Sequence, residues 1–164
     1  MNRLAAKAVT PNREFERVSI QGFQDALELL RKAVDFCGAT IFTVQPESGF
    51  MKCVAEYGEG ANFIDRIQFD SGSGLSAWVA QRRRPVHLPN IHRGSRHGQA
   101  PIRSYLSMPI YCEEKVVGVL NIAHVVPNAF TRHKFSIIQD FCNRISHILR
   151  VYQRRQNAMS TAGV

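Results

Sequence analysis

The side chains best suited to chemistry lie in one acid-free stretch. Between Ser71 and Cys112 the sequence carries Arg82, Arg83, Arg84, Arg93, Arg96 and Arg103 with His87, His92 and His97, and no Asp or Glu. Cations at this density suit an anionic ligand, an acidic protein or nucleic acid, and they equally suit a solvated face. Just before them, Asp70-Ser71-Gly72-Ser73-Gly74 opens a helical segment. Glycines let the backbone approach a ligand closely, and N–H groups at a helix start favour an anion. The spacing matches neither the phosphate-binding loop nor the dinucleotide fingerprint. A tight turn with Trp78 in the core accounts for the run as well.

Other reactive residues form no constellation. Cys37, Cys53, Cys112 and Cys142 are far apart, with no C-x-x-C pair, and each lies in an apolar stretch. They read as buried thiols acting as small hydrophobes. Ser76, Ser104 and Ser107 sit in no nucleophile elbow. No His-x-x-x-His or carboxylate cluster offers a metal site. Glu113-Glu114 reads as a solvent-facing hairpin tip. The expectation is therefore a chain that is not an enzyme and that needs no cofactor or metal. No base-reading helix or aromatic RNA-binding motif is present, which places nucleic acid last among partners.

The elements that must hold these residues follow from pattern. At 164 residues with 45% hydrophobic and 21% charged content, the chain fits one globular domain. Its net charge is +8. No apolar run approaches the roughly 18 residues of a membrane span, and Met1 to Thr10 lacks a signal-type apolar region. A cytoplasmic location is expected. The spacing predicts a helix over Asn12 to Cys37 closed by Gly38. It then predicts strands over Ala39–Val44 and Phe50–Tyr57, joined by turn residues. A short helix over Ala61–Arg66, a brief strand over Ile67–Phe69 and a helix over Leu75–Arg82 follow. Pro85–Leu88 reads as a short strand and Pro89–Pro101 as a long functional loop. Two strong strands, Arg103–Cys112 and Lys115–Val125, are joined tightly by Glu113-Glu114. The second carries apolar residues on both faces, Val117, Val119 and Ala123 against Val116, Leu120 and Ile122, as a central strand does. Thr131 is the expected N-cap of a helix to about Gln156. The fold class is α+β: a central antiparallel sheet of about five or six strands with flanking helices. Residues 1–12 form an extended or disordered lead, 13–156 the domain and 157–164 a flexible tail.

The last helix has two apolar stripes. Phe135, Ile138, Cys142, Ile145, Leu149 and Tyr152 make a strict heptad seam, beside Ile137, Phe141, Ile148 and Val151. One stripe covers the sheet. The N-terminal helix or a second subunit covers the other. The helix outruns a small sheet, so the heptad seam is assigned to a homodimer interface, flanked by Arg144, Arg150, Arg154 and Arg155.

The segments Gly72-Ser73-Gly74-Leu75-Ser76-Ala77-Trp78-Val79-Ala80-Gln81 and Arg84-Pro85-Val86-His87-Leu88-Pro89-Asn90 together resemble the GAF domain signature. So do Arg103 to Ile110, Val117 to Ile122, and Ala129-Phe130-Thr131, over about Phe23 to Val151. The resemblance implies a sheet with helices on one face and a small-molecule pocket on the other, in a regulatory domain of bacterial signalling. It implies dimerisation through terminal helices and a downstream signalling domain or protein. By resemblance the pocket is walled by the first strand, the Gly-rich turn and the long loop. Its candidate residues are Phe42, Phe69, Asp70, Leu75, Ser76, His92, Arg96, His97 and Tyr105. The cyclic-nucleotide signature is missing, since Asn62-Phe63 lacks the lysine, and no cysteine adjoins a histidine as in bilin-binding members. Free methionine sulfoxide reductases of the family use cysteines around the pocket loops, and Ser71 to Tyr111 contains none. His87, His92 or His97 offer a haem-type ligand. Three readings stand: a sensor of a small, anionic ligand, a ligand-free dimerisation module, and a haem- or redox-linked sensor.

Overall fold

The computed structural model describes residues 11–45, 48–58, 74–92 and 101–161. The expected short helix at 61–66, the strand at 67–69 and most of the long loop lie outside the described residues. The described elements are α1 (Pro11–Ala33), β1 (Gly38–Val44), β2 (Met51–Tyr57), α2 (Leu75–Arg82), β3 (Val86–Leu88), β4 (Ser104–Cys112), β5 (Lys115–His124) and α3 (Arg132–Thr161). The five strands form one sheet in the order β2-β1-β5-β4-β3, each neighbouring pair antiparallel. The chain thus has the α+β architecture expected, with β5 at the centre.

Strand period divides the sheet into two faces. Ala39 and Ile41 of β1, Leu106, Met108 and Ile110 of β4, and Leu120 and Ile122 of β5 meet Phe23, Leu27, Leu30 and Val34 of α1 and Ile138, Cys142, Ile145 and Leu149 of α3. Opposite them, Val44, Tyr105, Val119 and Ala123 meet Leu75 and Val79 of α2. A register shift between Ile110 and Tyr111 puts Val117 with the α1–α3 core, although its sequence parity places it with Val119 and Ala123. A one-residue bulge reverses the faces beyond it.

Element ends reflect tertiary demands. α1 stops at Ala33, four residues before the expected Cys37, because Phe36 must turn into the core, where it is 2% exposed. Cys37 already donates its backbone N–H to the Ala123 carbonyl at the sheet. The expected glycine stop, Gly38, is instead the first residue of β1. Gly58, at φ +67°, lies so near this entry that a Cβ would fall 1.9 Å from the Cys37 carbonyl oxygen. α3 begins as expected: the Thr131 hydroxyl accepts from the Lys134 N–H at 3.4 Å. It runs to Thr161, past the expected Gln156 and into the segment taken for a tail.

The dimer assignment of the heptad seam requires correction. Ile138, Cys142, Ile145, Leu149 and Tyr152 are each buried in the chain's own core, and Phe135 packs against it. The seam is the stripe that covers the sheet. Of the other stripe, Ile137 and Phe141 pack partly buried against the core, whereas Ile148 and Val151 stand 54% and 55% exposed, and α1 meets α3 within the core through an edge-on contact of Phe23 with Tyr152. Arg155 also lies 4.1 Å above the Phe15 ring.

Candidate functional site

The α2 side of the sheet has a polar centre within an apolar layer. Thr40 of β1, Asn121 of β5 and Ser107 of β4 lie side by side in the ladders, with Ser76 of α2 above them. The Ser107 hydroxyl donates to Asn121 Oδ1 at 2.7 Å, and Asn121 Nδ2 donates to Thr40 Oγ1 at 3.1 Å and Ser76 Oγ at 2.8 Å. All four side chains are buried. The amide spends both N–H donors and its oxygen, so a group that is costly to bury is satisfied in full. One side chain thereby ties three strands to α2.

α2 itself starts without a side-chain cap. Gly74 occupies the N-cap in extended backbone (φ −65°, ψ 166°), and no side chain among the described residues caps the N–H groups there. The other end closes at Arg83, which sits in the left-handed region at φ 57° and donates its backbone N–H to the Val79 carbonyl.

The structure brings four of the nine candidate ligand residues to this face. Phe42 projects from β1 opposite Val119 and is half-buried. Leu75, Ser76 and Tyr105 lie beneath or within α2, exposed by 1%, 6% and 0%. His92 is described but exposed, beyond the end of β3. Phe69, Asp70, Arg96 and His97 lie outside the described residues. Cys37 also packs on this face, and burial raises its thiol pKa. The described residues additionally enclose a cleft of about 400 Å³ at the opposite end of α2, beside Arg83, the end of β1 and the start of β5.

Asn121, Ser107 and Thr40 were not among the candidates. The available signal was an amide in the middle of an otherwise apolar central strand: such a residue must find buried partners. Gln153 gives the same signal on the helix side. It is 3% exposed, and its Nε2 donates to the Val44 and Val117 carbonyls at 2.5 and 2.7 Å. No described group of three or more His, Cys, Asp or Glu side chains is placed to hold a metal.

The model of the GAF domain family matches residues 21–150, most of the chain. The chain belongs to the GAF domain family. GAF domains are in general sensory or regulatory domains that bind small molecules. No curated protein matches the sequence. Among solved structures, the GAF domain of an Acinetobacter phosphoenolpyruvate-protein phosphotransferase is similar at 19% identity and TM-score 0.63, covering 89% of this chain and 97% of that one. The GAF domain of the corresponding protein from Coxiella burnetii is similar at 18% identity and TM-score 0.59, covering 90% and 92%. A type II free methionine-R-sulfoxide reductase from Thermoplasma acidophilum is similar at 14% identity and TM-score 0.63, covering 82% and 94%. This last likeness corrects the expectation that the chain is not an enzyme. That reductase and two more, from Staphylococcus aureus and Neisseria meningitidis, share the fold at 10–16% identity, so GAF architecture also houses catalysis. No described helix is long and apolar enough to cross a membrane.

Proposed function

We propose that this GAF domain binds a small anionic ligand at the α2 side of its sheet and passes occupancy to the α1–α3 pair, through which two copies associate. The observation that carries the reading is the Asn121 tie. A ligand that displaces α2 pulls on Ser76, and Asn121 distributes that pull to β1, β4 and β5 together. The reverse face of those strands carries α3. Uncapped N–H groups at Gly74 and the acid-free sequence from Ser71 to Cys112 supply the preference for an anion. The homodimer is drawn through the exposed stripe that includes Ile148 and Val151, whose burial would remove apolar surface from water at about 25 cal/mol per Å². A downstream signalling partner would read that pairing.

The test begins with denaturing and native mass spectrometry of purified protein, to identify what co-purifies. Titration of the recovered compound follows at rising salt. The expected result is a bound anion whose affinity falls with ionic strength and fails with Ser76→Leu. Salt-independent binding refutes the anion preference. A second reading, a ligand-free association module, is favoured by the burial of Leu75, Tyr105 and Val119 against one another's layer. A protein that dimerises but neither carries nor binds any compound selects it.

A further inference from the structure

The cleft of about 400 Å³ at the far end of α2 is separate from the Asn121 cluster, and its chemistry is specific. Its apolar side is Val44, Val116, Ala77 and Ala80, all buried or half-buried. Its charged members are Arg83, Lys115 and Glu114, all exposed at the rim. The volume is that of a small-molecule site.

Arg83 is held from several directions. Its backbone is fixed at φ 57°, with the N–H on the Val79 carbonyl and its own carbonyl accepting from the Tyr111 hydroxyl. Its guanidinium lies 5.8 Å from the centre of the Tyr111 ring, and Nη2 donates to the Glu114 carbonyl. A guanidinium has five N–H donors in a planar fork. Among the described residues the Glu114 carbonyl is the one hydrogen-bond acceptor it meets, which leaves most of the fork to a ligand, and the group is already oriented, which lowers the ordering cost of binding.

The cleft is also wired to α3. Gln45 lines it, and Gln45 Nε2 donates to Asn157 Oδ1 at 3.0 Å. Val44, the next lining residue, gives its carbonyl to Gln153 of α3. The β1–β5 ladder ends at the Thr43–Gly118 pair, so Gln153 takes over where the two strands part.

We propose that this cleft is a second ligand site, for a monocarboxylate with a flat or branched apolar body, and that α3 senses its occupancy through Gln45 and Gln153. The carboxylate pairs with Arg83, while the body covers Val44, Ala77, Ala80 and Val116. Filling the space beside Gln45 shifts the amide that holds Asn157. This site is independent of the proposed sheet-face site.

The test uses 2-naphthoate and its neutral carboxamide as probes of the full chain, with two-dimensional ¹H–¹⁵N NMR. 2-Naphthoate is expected to shift Ala77, Ala80 and Val116 saturably at concentrations on the order of 1 mM, and to shift the Gln45 and Asn157 side-chain amides with them. The carboxamide and Arg83→Gln should each bind about tenfold more weakly, the loss expected for one charge-assisted hydrogen bond. Arg83→Lys keeps the charge and should recover part of the affinity. Gln45→Ala should retain binding and abolish the Asn157 response. Equal binding of acid and amide, or shifts confined to Tyr105 and Asn121, would overturn the site. Saturable cleft shifts with a silent Asn157 would overturn its connection to α3.

Discussion

Replacing Asn121 with Leu keeps the number and branching of side-chain heavy atoms but adds volume, and it removes two donors and one acceptor from a site closed to water. Ser107, Thr40 and Ser76, exposed by 0%, 1% and 6%, would lose the partners they meet at 2.7, 3.1 and 2.8 Å. At about 1 kcal/mol net for each bond, the loss is about 3 kcal/mol, and stranded hydroxyls that find no carbonyl add to it. Urea unfolding followed by circular dichroism reads this directly as a lower midpoint at unchanged slope. A companion variant isolates the cause. Thr40→Val, Ser76→Ala and Ser107→Ala added to Asn121→Leu leave no stranded polar side chain, and most of the stability should return. A loss under about 1 kcal/mol for the single variant would refute the tie. So would a fourfold variant no more stable than the single one.

Further outcomes follow from other contacts. Gly58→Ala must move the Cys37 carbonyl or abandon φ +67°, and should cost at least about 2 kcal/mol in the same unfolding assay. Ile148→Glu should leave the fold intact and abolish the proposed self-association in sedimentation, whereas Leu149→Glu should unfold the domain, since Leu149 is 0% exposed. The Lys52 ammonium at 2.7 Å holds the Glu16 carboxyl below its ordinary pKa, and Glu16 in turn raises that of Lys52. The Glu16 contribution is therefore present above the unfolded carboxylate pKa and fades as pH falls through the folded one. The Lys52 contribution is complete below its unfolded pKa and fades as pH rises through the folded one. Both groups are over a third exposed, so Glu16→Gln should lose under about 1 kcal/mol at neutral pH and flatten the acid limb. Burial pushes the Cys142 thiol up to about 12, so iodoacetamide at pH 8 should label exposed Cys53 in native protein and reach Cys142 only on unfolding.

Much of the fold was legible because its periods are strong and local. The helix expected at about Leu75 to Arg82 spans those residues, and the strand expected over Lys115–Val125, which ends at His124, announced a central position by being apolar on both sides. The failures share a cause in tertiary packing. Nothing in the local sequence marks the bulge beside Tyr111 that sends Val117 to the opposite face. Nor does periodicity say which of two apolar stripes on α3 meets the sheet, since both satisfy a helix face equally. That choice is made by fit: a Cβ on Gly118 would meet Leu149 Cδ1 at 2.9 Å, so the bare glycine leaves room for this leucine of the seam. At the site, Leu75, Ser76 and Tyr105 were named through the family resemblance and lie on the α2 face, whereas Arg83 read only as one of three successive arginines. Its fixed position depends on Tyr111, 28 residues away.

α3 has 30 residues and β5 has 10. At about 1.5 Å per helical residue against about 3.3 Å per strand residue, the helix spans about 45 Å beside a strand of about 33 Å. The excess is a lever with a definite angular phase. Any segment joined in continuous helix beyond Thr161 is turned by about 100° for each residue interposed. A reporter fused there would face the domain at two different azimuths when its linker differs by two residues, and would return near its first azimuth after seven. Spacer length, counted in single residues, thus becomes a dial on how a twist of α3 is presented to whatever follows it.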